Sequence, residues 1–177
     1  MLDNIDVIIP ELQINLRIKE LAHEIDLAYL GKPVTFIVVL KGACFFACEL
    51  TKHLTIPVTI DFIQIRSYEG MCSTGVFNYK LDISPESING RDVIIIEDVI
   101  DTGRTITEIK KHIQLYNPLS IAVCSLLDKP SCRLMPISGD YIGFSIDNVF
   151  VVGYGLDFNE KYRNLPYIGI LKNESGK

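Results

Sequence analysis

After Pro10, apolar residues fall at Ile14, Ile18, Leu21, Ile25 and Ala28, and spacings of three and four place them on one face of a helix. Pro10 suits the first turn of that helix, and Gly31 followed by Pro33 ends it. The pattern then changes. Residues 34–40 (VTFIVVL) form a short apolar run rich in β-branched side chains, which predicts a strand buried on both faces, as in a parallel sheet. Lys41 and Gly42 follow, then a helix over 43–53 and a second strand over 56–65. Residues 66–78 (RSYEGMCSTGVFN) are polar and glycine-bearing, and read as a long loop.

A third strand lies at 93–96, and a helix starts near 103–105 and runs to about Tyr116, ahead of Pro118. A strand over 120–127, a loop over 128–139 and short strands at 141–144 and 149–152 complete the pass. Strands alternating with helices predict an α/β fold: a mostly parallel, doubly wound sheet flanked by helices. No repeat or linker interrupts the 177 residues, so one domain over 1–177 is expected. Ligands in such sheets bind at the carboxyl ends of strands. That singles out three places: Leu40-Lys41-Gly42, the stretch from Glu97 to Thr105, and Asp128-Lys129.

A net charge of −5 argues against nucleic-acid and membrane-surface partners, which require a basic face. It does not exclude an anionic substrate, because local dipoles and metal ions override the global sign. The five cysteines lack zinc-ligand spacing and read as small buried hydrophobes rather than disulfide partners. The opening MLDNIDVIIP has no basic segment ahead of a long apolar stretch, and no apolar run approaches about 18 residues. Neither a signal peptide nor a spanning helix is expected, and the expected compartment is the cytoplasm.

The most informative stretch is residues 93–105, VIIIEDVIDTGRT. A strand runs into two adjacent carboxylates, then into a third, Asp101, and a Thr-Gly-Arg-Thr turn that opens a helix. Gly103 permits a tight turn, and backbone N–H groups at a helix start attract an anion, so Thr102, Gly103, Arg104 and Thr105 form a candidate phosphate cradle. The spacing is neither that of a P-loop nor that of a dinucleotide-binding glycine motif. Glu97 and Asp98 suit the two hydroxyls of a ribose or a Mg²⁺ ion. Consecutive residues on an extended chain point to opposite sides, so these two acids are not forced together. The bland alternative is a helix N-cap beside solvated acids.

This string resembles the phosphoribosyl-pyrophosphate (PRPP) signature of the type I phosphoribosyltransferases, and more narrowly their hypoxanthine/guanine branch. Leu40-Lys41-Gly42 resembles that family's pyrophosphate loop, and Ser67-Tyr68 the start of its lid. Leu127-Asp128-Lys129-Pro130 resembles its purine-contacting segment, and residues 150–163 (FVVGYGLDFNEKYR) its C-terminal purine and pyrophosphate segment. The resemblance implies a fold with a small hood made by the terminal segments, and a reaction joining a 6-oxopurine to PRPP. It implies Asp101 as the general base, and Glu97 and Asp98 on the ribose and a Mg²⁺ shell. Lys41, Gly42, Ser67, Tyr68 and Arg163 would hold pyrophosphate. Lys129, Phe150, Val151 and Asp157 would meet the purine, with Asp157 as a further Mg²⁺ contact. It also implies a non-proline cis peptide in the Lys41 loop and a homodimer or homotetramer.

Taken singly, Lys129 is an exposed loop lysine, Phe150 a core aromatic, and Asp157 and Arg163 surface charges. Two other functions share the fold: a nucleotide-binding regulator without turnover, and a pyrimidine enzyme. Asp101 and the acidic net charge oppose the first, and Lys129 with Phe150 the second.

Overall fold

The computed structural model describes residues 5–67 and 77–172. In chain order its elements are β1 (Ile5–Ile9), α1 (Glu11–Ala28), β2 (Val34–Val39), α2 (Ala43–Lys52), β3 (Val58–Ser67), β4 (Phe77–Leu81), β5 (Asp92–Ile100), α3 (Arg104–Gln114), β6 (Ser120–Asp128), β7 (Tyr141–Ser145), β8 (Val151–Val152) and β9 (Ile168–Leu171). Six strands form the main sheet in the order β4-β3-β2-β5-β6-β7, parallel except where β4 runs against β3.

The continuous apolar run predicted as a two-faced strand is β2, buried at all six positions. Helix α2 carries the chain from β2 outward to β3, whereas α3 carries it from β5 to β6 in the opposite direction. Right-handed crossovers then require the two helices to lie on opposite faces. The core confirms this layering. Phe36, Val38, Ile94 and Ile96 pack with Ile14, Leu21, Phe46 and Leu50 of α1 and α2. The alternate residues Ile37, Val39, Val93 and Ile95 pack with Ile106, Ile109 and Ile113 of α3. Edge strand β7 is capped by α1: Arg17 donates to the Ile142 carbonyl at 2.9 Å and the Gly143 carbonyl at 3.1 Å.

A separate three-stranded antiparallel sheet, β1-β9-β8, is the hood expected of the terminal segments. Among the described residues no helix is long and apolar enough to cross a membrane.

Several boundaries differ from the sequence pattern. Pro10 precedes α1 in extended conformation instead of sitting in its first turn. Strand β5 continues through the acids to Ile100, and the segment expected as loop from residue 66 contributes strand at both ends, Ser67 and Phe77. The strand expected at 149–152 contracts to Val151–Val152. Cysteine burial is also narrower than expected. Cys124 alone among the four described is buried, Cys44 and Cys132 are half-buried, Cys48 is exposed, and all four are free. Cys72 lies outside the described residues.

Candidate active site

Strands β2 and β5 are neighbours from which the chain departs in opposite directions, so their carboxyl ends form the switch point where ligands settle in such sheets. Lys41 and Gly42 stand at the end of β2, Glu97 to Thr105 at the end of β5 and beyond, and Lys129 just after β6. The Leu40–Lys41 peptide is cis. Gly42 has an ordinary helical backbone conformation, so its requirement is steric: a Cβ there would overlap the Asp98 carboxyl. A Cβ at Gly155 would in turn overlap the Gly42 carbonyl. Three segments distant in sequence therefore meet backbone to side chain at one point.

Glu97 is buried and Asp98 half-buried. Glu97 Oε1 accepts from the Asp98 amide at 3.2 Å, and Asp98 Oδ1 from the Val99 amide at 2.8 Å. The two acids are not independent, contrary to the expectation from strand alternation. Burial first, and then the Asp98 carboxylate, hold the Glu97 carboxyl well above the usual carboxylate range. Burial raises Asp98 as well, opposed by hydrogen bonds from Glu97 and the Val99 amide and by the Arg163 charge.

Beyond β5 the chain bends at the exposed Asp101, and Gly103 enters the left-handed region at φ 81° to start α3. Thr102 Oγ1 lies 3.4 Å from the Arg104 amide. The loop is backed by the segment after β6. The amides of Leu134 and Met135 donate to the Thr102 carbonyl at 3.0 and 3.1 Å, and Arg133 donates to the Asp101 carbonyl while pairing with Asp128. The amides of Thr102, Gly103 and Thr105 have no protein partner among the described residues, leaving donors on the other side of the turn.

Lys129 is buried, and its ammonium donates to the Val149 carbonyl at 2.7 Å. Phe150, expected against a purine, is 58% exposed with its ring edge-on to Phe158. Val151 is buried in the hood. Asp157 Oδ1 pairs with Arg163 at 2.7 Å, and its other oxygen accepts from the Glu160 amide at 2.8 Å, closing a tight turn. Glu160 bridges the two cations assigned to pyrophosphate, 2.9 Å from Lys41 and 3.4 Å from Arg163. Among the described residues, Glu97, Asp98 and Asp157 do not assemble into one three-carboxylate cluster. Ser67 ends β3, and Tyr68 falls outside the described residues. Sequence reasoning passed over Arg133, Val149 and Glu160.

The phosphoribosyl transferase domain family matches residues 8–159. The hypoxanthine-guanine phosphoribosyltransferase of Streptococcus agalactiae is 44% identical over 169 residues, covering 95% of this chain and 93% of its own. The hypoxanthine phosphoribosyltransferase of Salmonella typhimurium is 39% identical over 172 residues and covers 96% of each chain. A crystal structure of a hypoxanthine phosphoribosyltransferase from Staphylococcus aureus, 40% identical, superposes with a TM-score of 0.94 over 100% of this chain and 97% of that one. Similarity of this extent, over a site with these strand-end residues, places the chain in the phosphoribosyl transferase family.

Proposed function

We propose that this protein is a purine-salvage enzyme that transfers the 5-phosphoribosyl group of PRPP to hypoxanthine or guanine, giving IMP or GMP and pyrophosphate. One observation carries the assignment: an amide-lined turn, an acidic pair with Glu97 buried and Asp98 half-buried, and a buried lysine stand together at the carboxyl ends of β5 and β6. The turn, Thr102 to Thr105, grips the 5′-phosphate through N–H groups and the start of α3. The Lys129 ammonium only donates, so it favours the 6-carbonyl of hypoxanthine or guanine over the 6-amino group of adenine. Phe150 offers its exposed ring as a stacking face, and the Val151 backbone reads the purine edge.

Chemistry takes place at ribose C1′. The bond to pyrophosphate breaks as purine N9 attacks, through a transition state with cationic character on the sugar. Asp101 takes the proton from purine N7 as general base, and its carboxylate stabilises the positive charge that develops. Lys41 and Arg163 receive pyrophosphate, with Gly42 letting the backbone approach, and Ser67 and Tyr68 are assigned to the same group by the resemblance. Glu97 and Asp98 fit a hard divalent ion, because two neighbouring oxygen ligands raised by burial are relieved by a cation. Mg²⁺ held there, with Asp157 contributing near the purine, would supply charge neutralisation of the diphosphate.

A cytoplasmic location, expected from the N-terminal sequence, and a homodimer or homotetramer, implied by the resemblance, complete the proposal. Exposed Leu12, Leu16 and Phe45 on α1 and α2 provide apolar surface that such an assembly would cover. The decisive experiment is a panel of purines and pyrimidines assayed with PRPP and Mg²⁺, with and without chelator. Pyrophosphate release is expected with hypoxanthine and guanine, absent with adenine and orotate, and abolished by chelation. Turnover of adenine or orotate in preference to hypoxanthine would refute the assignment.

A further inference from the structure

The segment after β6 does more for the phosphate loop than fill space behind it. Asp128 ends β6 and lies in register with Ile100, the last residue of β5. Five residues later Arg133 returns, with one arm of its guanidinium on the Asp128 carboxylate and the other on the Asp101 main-chain carbonyl. Both members of the ion pair are shielded, with side chains 15% and 14% exposed. The next two amides, Leu134 and Met135, bind the adjacent carbonyl of Thr102. The stem of Arg133 and the side chain of Ile137 close over Gly103, where a Cβ would collide with Ile137 and press tightly on the Arg133 stem.

A planar peptide ties its carbonyl and its following N–H to opposite directions. Pinning the Asp101 carbonyl backward therefore aims the Thr102 amide forward, and it also fixes the backbone from which the Asp101 side chain leaves. A guanidinium suits this task because its rigid fork reaches a carboxylate and a carbonyl at once, which a lysine cannot do with the same geometry.

We propose that Arg133 is a positioning residue for this reaction: held by Asp128, it sets the Asp101–Thr102 peptide so that the phosphate-binding amide and the proton-accepting carboxylate face the same ligand. This rests on the function proposed above, and it goes beyond that proposal by giving a role to a residue that touches no substrate.

Three variants test it in the full chain. Arg133→Met keeps the stem over Gly103 and removes the fork. It should lower kcat/KM for PRPP by about tenfold to hundredfold, the scale for small misplacement of reacting groups, with the KM for hypoxanthine within about threefold. Arg133→Lys should recover only part of that loss. Arg133→Ala should regain activity with millimolar guanidinium but not with ammonium, a response a purely structural role would not give. If Arg133→Met fails to fold because the shielded Asp128 is left unpaired, the double variant Arg133→Met with Asp128→Asn removes that carboxylate, and the same PRPP-selective rise in KM is expected. Wild-type values of kcat and of the KM for PRPP in these variants would overturn the inference. So would KM values for PRPP and hypoxanthine that rise equally, without guanidinium rescue. A wild-type protein that does not turn over PRPP with hypoxanthine would instead refute the function itself.

Discussion

Asp101 is the residue on which the proposed chemistry turns. It stands exposed at the bend between β5 and α3, one peptide before the phosphate-binding amides. Asp101→Asn keeps the size and loses the base. Turnover should fall by about two to four orders of magnitude, the usual scale for losing a general acid or base, while PRPP still binds by calorimetry. Wild-type turnover in that variant would remove Asp101 from its role. Glu97 makes a different prediction, because its burial serves binding at the expense of the free protein. Its folded carboxyl holds a proton more tightly than the unfolded chain does. As pH climbs through and above the ordinary carboxylate range, the folded state must ionise a buried group, and stability is lost. Glu97→Gln carries no such charge. With chelator present, it should melt above wild type at about pH 8, by roughly 2–4 °C per kcal/mol relieved for a chain of this size. The difference should shrink toward about pH 5, and Mg²⁺-dependent turnover should fall. A melting difference independent of pH would contradict the proposed burial cost.

At the scale of elements, legibility followed the strength of the local pattern. The three- and four-residue rhythm of Ile14, Ile18, Leu21 and Ile25 needs only its own helix to be read, and β2 is apolar enough to require cover on both faces. The candidate site was readable for the same reason: strand, acids, glycine turn and helix start are contiguous in sequence. β1, β4 and β9 were not identified. Each is short, and each owes its conformation to a partner remote in the chain: Ile5 opposite Leu171, and Gln64 opposite Leu81. Periodicity cannot report a strand whose hydrogen bonds are supplied from elsewhere. The same limit hid Arg133, whose two contacts reach back to Asp128 and Asp101 across a loop with no repeating pattern. It also hid how closely Glu97 and Asp98 act on one another, since alternation describes where side chains leave a strand and not how their ends approach.

Across the whole molecule, responsibilities are divided by sheet. In the function proposed, the main sheet would hold the phosphate, ribose and metal groups at the ends of β2, β5 and β6, and the hood, which carries Val151, would frame the purine side. The hood is sewn from opposite ends of the described chain, β1 lying against β9 with Ile5 beside Leu171. Because those ends are already neighbours, the order of the polypeptide can be rewired. A circular permutant that joins them through a short flexible linker, and begins instead at the exposed turn between Gly31 and Lys32, should fold and turn over substrate at near the parental rate. That turn precedes the amino end of β2, opposite the carboxyl strand ends proposed to hold the ligand. Opening the chain between Arg133 and Leu134 should instead yield a folded but feeble enzyme, because the cut would sever the brace behind the phosphate loop while leaving every strand intact.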